Sequence, residues 1–205
     1  MTSTVTTVRK RRAYAPRVSA EQRRTQLLDA ALRLVVTRGH RAVTMEAVAE
    51  RAGVTKPVVY GMYANRAELL AALLAREQEQ ALAQVLDILP ADLDHRPPPE
   101  LGEALARFLD RFLPLVRAAP DRWHCILMQV PGVPAEFHAA RDAARAVVLA
   151  RAQHLAAGLL PELDPEIVGH TLVTLAEMAA RLVLTDPERY YPDRFTSVVR
   201  ALATS

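Results

Sequence analysis

Cysteine is nearly missing from these 205 residues: Cys125 stands alone, so the chain cannot close a disulfide on itself and a disulfide-stapled scaffold is excluded. Aromatic residues make up only 5%, and β-branched residues never build a sustained alternating run, which argues against a sheet protein. The seven glycines form no phosphate-cradling loop, and no serine sits in a nucleophile elbow. Long apolar runs are lacking too. Stretches such as Leu69 to Ala75 fall far short of the ~20 residues that a membrane-spanning helix needs. The N-terminus carries Arg9, Lys10, Arg11 and Arg12 with no apolar run behind them, unlike a secretory signal. The expectation is a soluble cytoplasmic protein with no membrane partner. Lysine is scarce as well, 24 of the 26 basic residues being arginine. A GC-rich genome produces the same bias, so an isolated arginine carries little weight.

What is present points to helix. Alanine (36) and leucine (28) together supply about 31% of the chain, and both are strong helix formers. At 51% hydrophobic residues the chain can fill a sizeable core. The formal net charge of +3 hides a division: residues 1–66 carry +9 and residues 67–205 carry −6. A basic first third joined to an acidic remainder suggests two tasks, the first of them facing a polyanion. Charge alone does not separate DNA from RNA, a membrane surface or plain solvation.

Residues 1–18 read as a flexible basic arm. Ser19 makes a helix N-cap with Gln22 at capping-box spacing, and Leu27, Ala31, Leu34 and Val35 give Ala20 to Arg38 a helical apolar face that Gly39 ends. Thr44 caps a second, short helix that breaks at Gly53. Thr55 opens a third with Lys56 and Pro57 in its first turn, carrying Val58, Val59, Tyr60 and then Met62 and Tyr63. Two helices of about eight residues joined by Ala52-Gly53-Val54 match a helix-turn-helix, whose second helix enters a DNA major groove. Asn65, with Glu68 in the reciprocal position, caps a long helix running to about Leu86. A proline-rich linker, 90–99, precedes five further helices: about 101–116, 121–130, 135–157, 166–184 and 194–203. The fold class is all-α, with an arm (1–18), a three-helix DNA-binding domain (19–66) and a helical ligand-binding and dimerisation domain (67–205).

The segment Leu27 to Leu74 resembles the N-terminal domain of the TetR family of bacterial transcriptional regulators. The resemblance lies in an ordered series: Leu28-Asp29-Ala30-Ala31, Gly39, Thr44-Met45, Val48-Ala49, Ala52-Gly53-Val54-Thr55-Lys56, Val59-Tyr60, Tyr63 and Asn65-Arg66-Ala67-Glu68-Leu69-Leu70. It implies a homodimer on a palindromic double-stranded operator, with a C-terminal domain that supplies the dimer interface and an effector pocket. Gly61, Met62 and Tyr63 depart from the residues usual in the family, so an operator sequence does not carry over.

The DNA-contacting candidates are Thr44, Thr55, Lys56, Pro57, Val58, Tyr60 and Arg66, with Arg9, Lys10, Arg11, Arg12 and Arg17 of the arm. Thr55 reads as a cap that places amides near a phosphate. Thr44 suits either capping or a phosphate. Lys56 suits a guanine or a phosphate, and Pro57 and Val58 suit a thymine methyl. Tyr60 and Arg66 resemble the family's phosphate clamps, against a core role for Tyr60; Val59 and Tyr63 read as core. An arm of this kind enters a minor groove or follows phosphates, or is only a solvated tail.

For the effector, Phe108, Phe112, Trp123, Met128, Phe137, His170 and Glu177 stand out among Ala and Leu helices as the lining of a mostly apolar cavity. The rival reading pairs Glu177 with Arg181 and puts His170 at the dimer seam. For that seam Gly169, Leu172, Ala176, Ala179, Ala180 and Val183 offer small and apolar surface, equally suited to an intrachain core. No metal site or cofactor is expected, since His124 and Cys125 are adjacent rather than a turn apart, and Cys125 reads as an incidental thiol. An enzyme is disfavoured, the paired Glu-x-x-His of carboxylate metal bundles being absent. The expected function is a ligand-responsive regulator, a repressor released by a small mostly apolar effector. The alternative is a dimeric helical ligand-binding or protein-interaction module without specific DNA recognition.

Overall fold

The computed structural model describes residues 19–89, 101–128 and 135–203. Among them the fold is all-α: α1 (Ala20–Arg38), a 3-10 turn (His40–Ala42), α2 (Met45–Ala52), α3 (Lys56–Tyr60), α4 (Arg66–Ile88), α5 (Leu101–Ala118), α6 (Pro120–Leu127), α7 (Ala135–Leu159), α8 (Pro165–Thr185) and α9 (Pro192–Ala203). The basic arm, with Arg9, Lys10, Arg11, Arg12 and Arg17, and the proline-rich linker lie outside the described residues.

Most helix starts form as the side chains dictate. Ser19 Oγ accepts from the Gln22 amide and Gln22 Oε1 accepts from the Ser19 amide, a complete capping box. Thr44 Oγ1 accepts from the Ala47 amide and Asn65 Oδ1 from the Glu68 amide. Glu68 reaches one residue beyond the cap, accepting the Ala64 amide at 2.6 Å. Thr55 corrects the expectation: it precedes α3 in an extended conformation, but its hydroxyl makes no cap bond. The recognition helix is also shorter than the sequence suggests. Gly61 ends α3 after Tyr60, and the amides of both Met62 and Tyr63 return to the Val59 carbonyl. This tight turn lets Tyr63 fold under the helix into the core, where it is almost fully buried.

Two cores share α4. Leu69, Leu70 and Leu73 pack with Leu27, Ala31, Leu34, Val48, Val59 and Tyr63 of the N-terminal unit. Ala81, Val85 and Ile88 pack with Leu109, Phe112, Val116 and Trp123 of the C-terminal unit. The second half of the molecule is a helical bundle in which α5 lies against α8 and α9, and α7 against α8. Short α6 touches α1, α4 and α8, so it belongs to both halves.

The expected seam on α8 is corrected here. Gly169, Ala176, Ala179, Ala180 and Val183 are all buried inside the chain. Gly169 sits so close to α7 that a Cβ would stand 2.6 Å from Gln153 Cγ and 3.1 Å from the Gln153 amide nitrogen. Small residues are there for α7–α8 packing. The outward stripe of α8 is a different set, with Ile167 63%, Leu175 42% and Met178 44% exposed. Among the described helices α8 is also the one long and apolar enough to cross a membrane by length and composition alone. Glu177 and Arg181 both face an internal cavity.

Candidate nucleic-acid interface and effector cavity

The N-terminal unit offers one face to a polyanion. Gly53, at φ 65°, takes the left-handed turn between α2 and α3 that glycine adopts without strain. The Val54 amide donates back to the Ala49 carbonyl at 2.9 Å, closing that turn. Val59 anchors α3 from beneath and is fully buried. Thr44, Thr55, Lys56, Pro57 and Tyr60 are left exposed, with Val58 half-buried at the edge. The starts of α2 and α3 therefore carry Thr44 and Thr55 on the exposed face, at helix N-termini whose dipoles favour an anion.

Two of the basic candidates are already engaged. Lys56 is ion-paired with Glu46 of α2 and lies 5.8 Å over the Tyr60 ring. The Glu46 partner holds the lysine above its ordinary range, and Lys56 in turn holds the Glu46 carboxyl below its own. A DNA phosphate has to displace that exposed carboxylate, which costs little in water. Arg66, expected as a phosphate clamp, is turned inward: Nε donates to the Val43 carbonyl at 2.6 Å and Nη2 to the His40 carbonyl at 2.8 Å. Nη2 also lies 3.1 Å from His40 Nδ1. Burial, and then the Arg66 charge, push His40 below the usual histidine range, so its imidazole is neutral and Nδ1 accepts from the guanidinium. Arg66 thus braces the 3-10 turn against α4, a role its position in the motif did not reveal.

In the C-terminal unit α4, α5, α6, α7 and α8 line a half-open cavity of about 1350 Å³. Phe108, Phe112, Trp123 and Glu177, four of the effector candidates, line it. Phe108 stacks on Phe112 with centroids 5.2 Å apart, and Phe112 meets Trp123 edge to face at 5.1 Å. Leu172 and Ala176, read as seam residues, line this cavity too. Met128 and His170 do not, and His170 is exposed. The side chain of Phe137 lies outside the described residues. The Glu177–Arg181 pair forms at 3.3 Å, but Glu177 Oε1 also accepts from Arg145 Nε at 2.8 Å. Arg145 escaped sequence reading because α7 has no clean apolar stripe against which a polar residue would stand out.

A second polar group was overlooked. The side chain of Glu77 is only 1% exposed; Oε1 accepts from Arg76 Nε at 2.7 Å and Oε2 from Arg122 Nε at 3.0 Å. Arg76 Nη1 continues to Asp29 of α1 at 2.7 Å, and Arg33 of α1 pairs with Asp121 of α6 at 2.8 Å. An acidic residue inside the apolar series Leu70, Leu73, Glu77, Ala81 was the available signal. Burial, with the Glu77 charge adding to it, pushes the neighbouring Cys125 thiol up to about 12, which leaves it protonated and unreactive.

Comparison with known proteins agrees with this layout. Residues 27–73 match the model of the bacterial regulatory proteins of the tetR family. The chain is 37% identical over 94 residues to the HTH-type transcriptional activator FasR of Mycolicibacterium smegmatis, a match covering 46% of this chain and 42% of that protein. It is 43% identical over 60 residues to the HTH-type transcriptional repressor KstR of Rhodococcus jostii, covering 29% of this chain and 28% of that protein. These alignments take in less than half the length of either relative. A solved TetR-like transcriptional regulator from Rhodococcus sp. RHA1 superposes with a TM-score of 0.68 at 27% identity, over 92% of this chain and all of that one.

Proposed function

Because the chain belongs to the TetR family of bacterial regulatory proteins, we propose that it is a ligand-responsive transcriptional regulator that binds a palindromic operator as a homodimer. The observation that carries this reading is the exposed set Thr44, Thr55, Lys56, Pro57 and Tyr60, held outward by a fully packed core beneath α3. Thr44 and Thr55 hold phosphates through their helix starts, Lys56 and Tyr60 grip the backbone, and Pro57 and Val58 meet base edges. One activator and one repressor stand among the relatives. Repression relieved by the effector is the reading carried forward.

The cavity and this head are linked by α6. Trp123 stands in the cavity wall, while its neighbours Asp121 and Arg122 hold Arg33 of α1 and Glu77 of α4. An effector that displaces Trp123 therefore pulls on both helices that carry the head, and two heads that move apart no longer fit one operator.

Selection of duplexes from a random library by the full-length protein, at about 150 mM salt, tests the proposal. Enrichment of a single inverted repeat is expected, its half-site spacing giving the distance between the two α3 helices. Weak, salt-sensitive binding without enrichment, persisting after bound ligands are stripped, would favour the ligand-binding module without specific recognition. Deleting residues 1–17, with five basic side chains, is expected to weaken operator binding and flatten its dependence on salt. An unchanged slope in a filter-binding salt series would remove the arm from the interface.

A further inference from the structure

The cavity says more about its occupant than size and apolarity. About 1350 Å³ exceeds the ~300–1,000 Å³ of ordinary small-molecule pockets, so it suits a long body. Leu82, Val85, Ile88, Phe108, Phe112 and Leu155 make most of its wall apolar. Its charges are unevenly balanced. On the α5 side Arg107 pairs with Glu103, Arg111 faces Asp87, and Asp110 takes Arg200. On the α7–α8 side three guanidiniums, Arg141, Arg145 and Arg181, share two carboxylates, Asp142 and Glu177.

That surplus is concentrated at Glu177. Its two oxygens are divided, Oε1 to Arg145 Nε and Oε2 to Arg181 Nη2. Arg181 also donates Nε to the Leu127 carbonyl at 3.1 Å. Among the described residues, both terminal nitrogens of Arg145 and Nη1 of Arg181 have no partner. These side chains are only 32% and 44% exposed. Unspent guanidinium donors at the edge of an apolar chamber are open to an anion, and a carboxylate or phosphate oxyanion fits their fork.

We propose that the effector is a long apolar chain bearing an anionic end, and that Arg145 and Arg181 receive that end beside Glu177. The inference rests on the reading of this chain as an effector-controlled regulator. Glu177 holds the two arginines in position, and the apolar body extends from them toward Phe108, Phe112 and Trp123. The shared chemistry is an apolar chain with anionic oxygen toward one end: a free acid carries it on the chain's own carboxylate, and a coenzyme A thioester on phosphates beyond a neutral arm.

Trp123, the single tryptophan of the chain, reports on the chamber it lines. Its fluorescence is titrated with palmitate, palmitoyl coenzyme A and methyl palmitate, each below its aggregation threshold, using delipidated full-length protein. At least one charged probe is expected to bind about tenfold or more tightly than the neutral ester. Palmitate alone assigns the end to a carboxylate, and the thioester alone to the nucleotide phosphates. The variant R145Q/R181Q is expected to weaken the charged probe about tenfold and leave methyl palmitate unaltered. Retained ester binding also shows that this variant is folded; should it fail to fold, R145Q and R181Q are titrated singly. Equal binding of ester and charged probes, no binding by any probe, or variants without effect overturn the proposal. A neutral compound that quenches Trp123 and releases DNA would sink the anionic end while leaving the regulator intact, whereas the regulator itself fails only in the duplex selection.

Discussion

Replacing Leu175 and Met178 of α8 together by glutamate is expected to yield a folded monomer whose operator affinity is lower by at least about a hundredfold. Both side chains are more than two-fifths exposed, so the substitutions bury no charge within the chain. They fall on a stripe, Ile167, Thr171, Leu175, Met178 and Leu182, spaced three or four residues apart on the side of α8 turned away from its own core. Val198 and Leu202 of α9 are likewise turned outward, 57% and 74% exposed. Apolar side chains at that spacing on the last two helices are what a two-fold helical seam buries.

The size of the effect follows from bivalency. A dimer placing two α3 helices on two half-sites gains an effective concentration worth about a hundredfold to ten-thousandfold over one head alone. Two carboxylates facing two more across a symmetric seam remove that gain without touching the head. Sedimentation should show half the native mass with unchanged helical circular dichroism, and a gel-shift titration should show the lost affinity. A double variant that stays dimeric would move the seam elsewhere.

The limits of sequence reading fall where polar side chains choose partners. The helices were legible because Ser19, Thr44 and Asn65 cap locally and the apolar series are long; α1 begins and ends where caps and Gly39 put it. The faces of α8 were harder. Gly169, Ala176 and Ala180 are small on the side that approaches α7 and α5, and small residues serve an intrachain crossing as well as an interchain one. The larger Ile167, Leu175 and Met178 lie on the outside, and nothing in their residue type separates an exposed apolar side chain from a core one. Arg66 shows the same limit within the head: its place in the motif suggested a clamp, but the Val43 and His40 carbonyls that hold it are over twenty residues away. For the cavity, aromatic residues could be picked out because they are rare; the arginine wall could not, among 24 arginines.

Glu77→Ala is expected to have the largest effect on stability. The carboxylate is buried between Arg76 and Arg122, whose side chains keep only 18% and 19% exposure, so its removal leaves two guanidiniums facing each other with little water. Taking one partner from a buried ion pair costs about 3–5 kcal/mol. The lower end applies here, because Arg76 keeps Asp29 and Arg122 keeps the amide oxygens of Gln80 and Gln84. For a chain of this size that amounts to a melting temperature lower by about 6–12 °C. Glu77→Leu combined with Arg122→Leu should recover much of the loss, since an apolar pair needs no desolvated charge. Stability and signalling then separate. If this network carries the movement of α6 to α1 and α4, the double variant binds operator with near-native affinity and still shows effector-dependent Trp123 quenching, yet the effector no longer releases the DNA. Full release from the double variant would assign the coupling to another contact, with Arg33–Asp121 the remaining ion pair between α1 and α6 among the described residues.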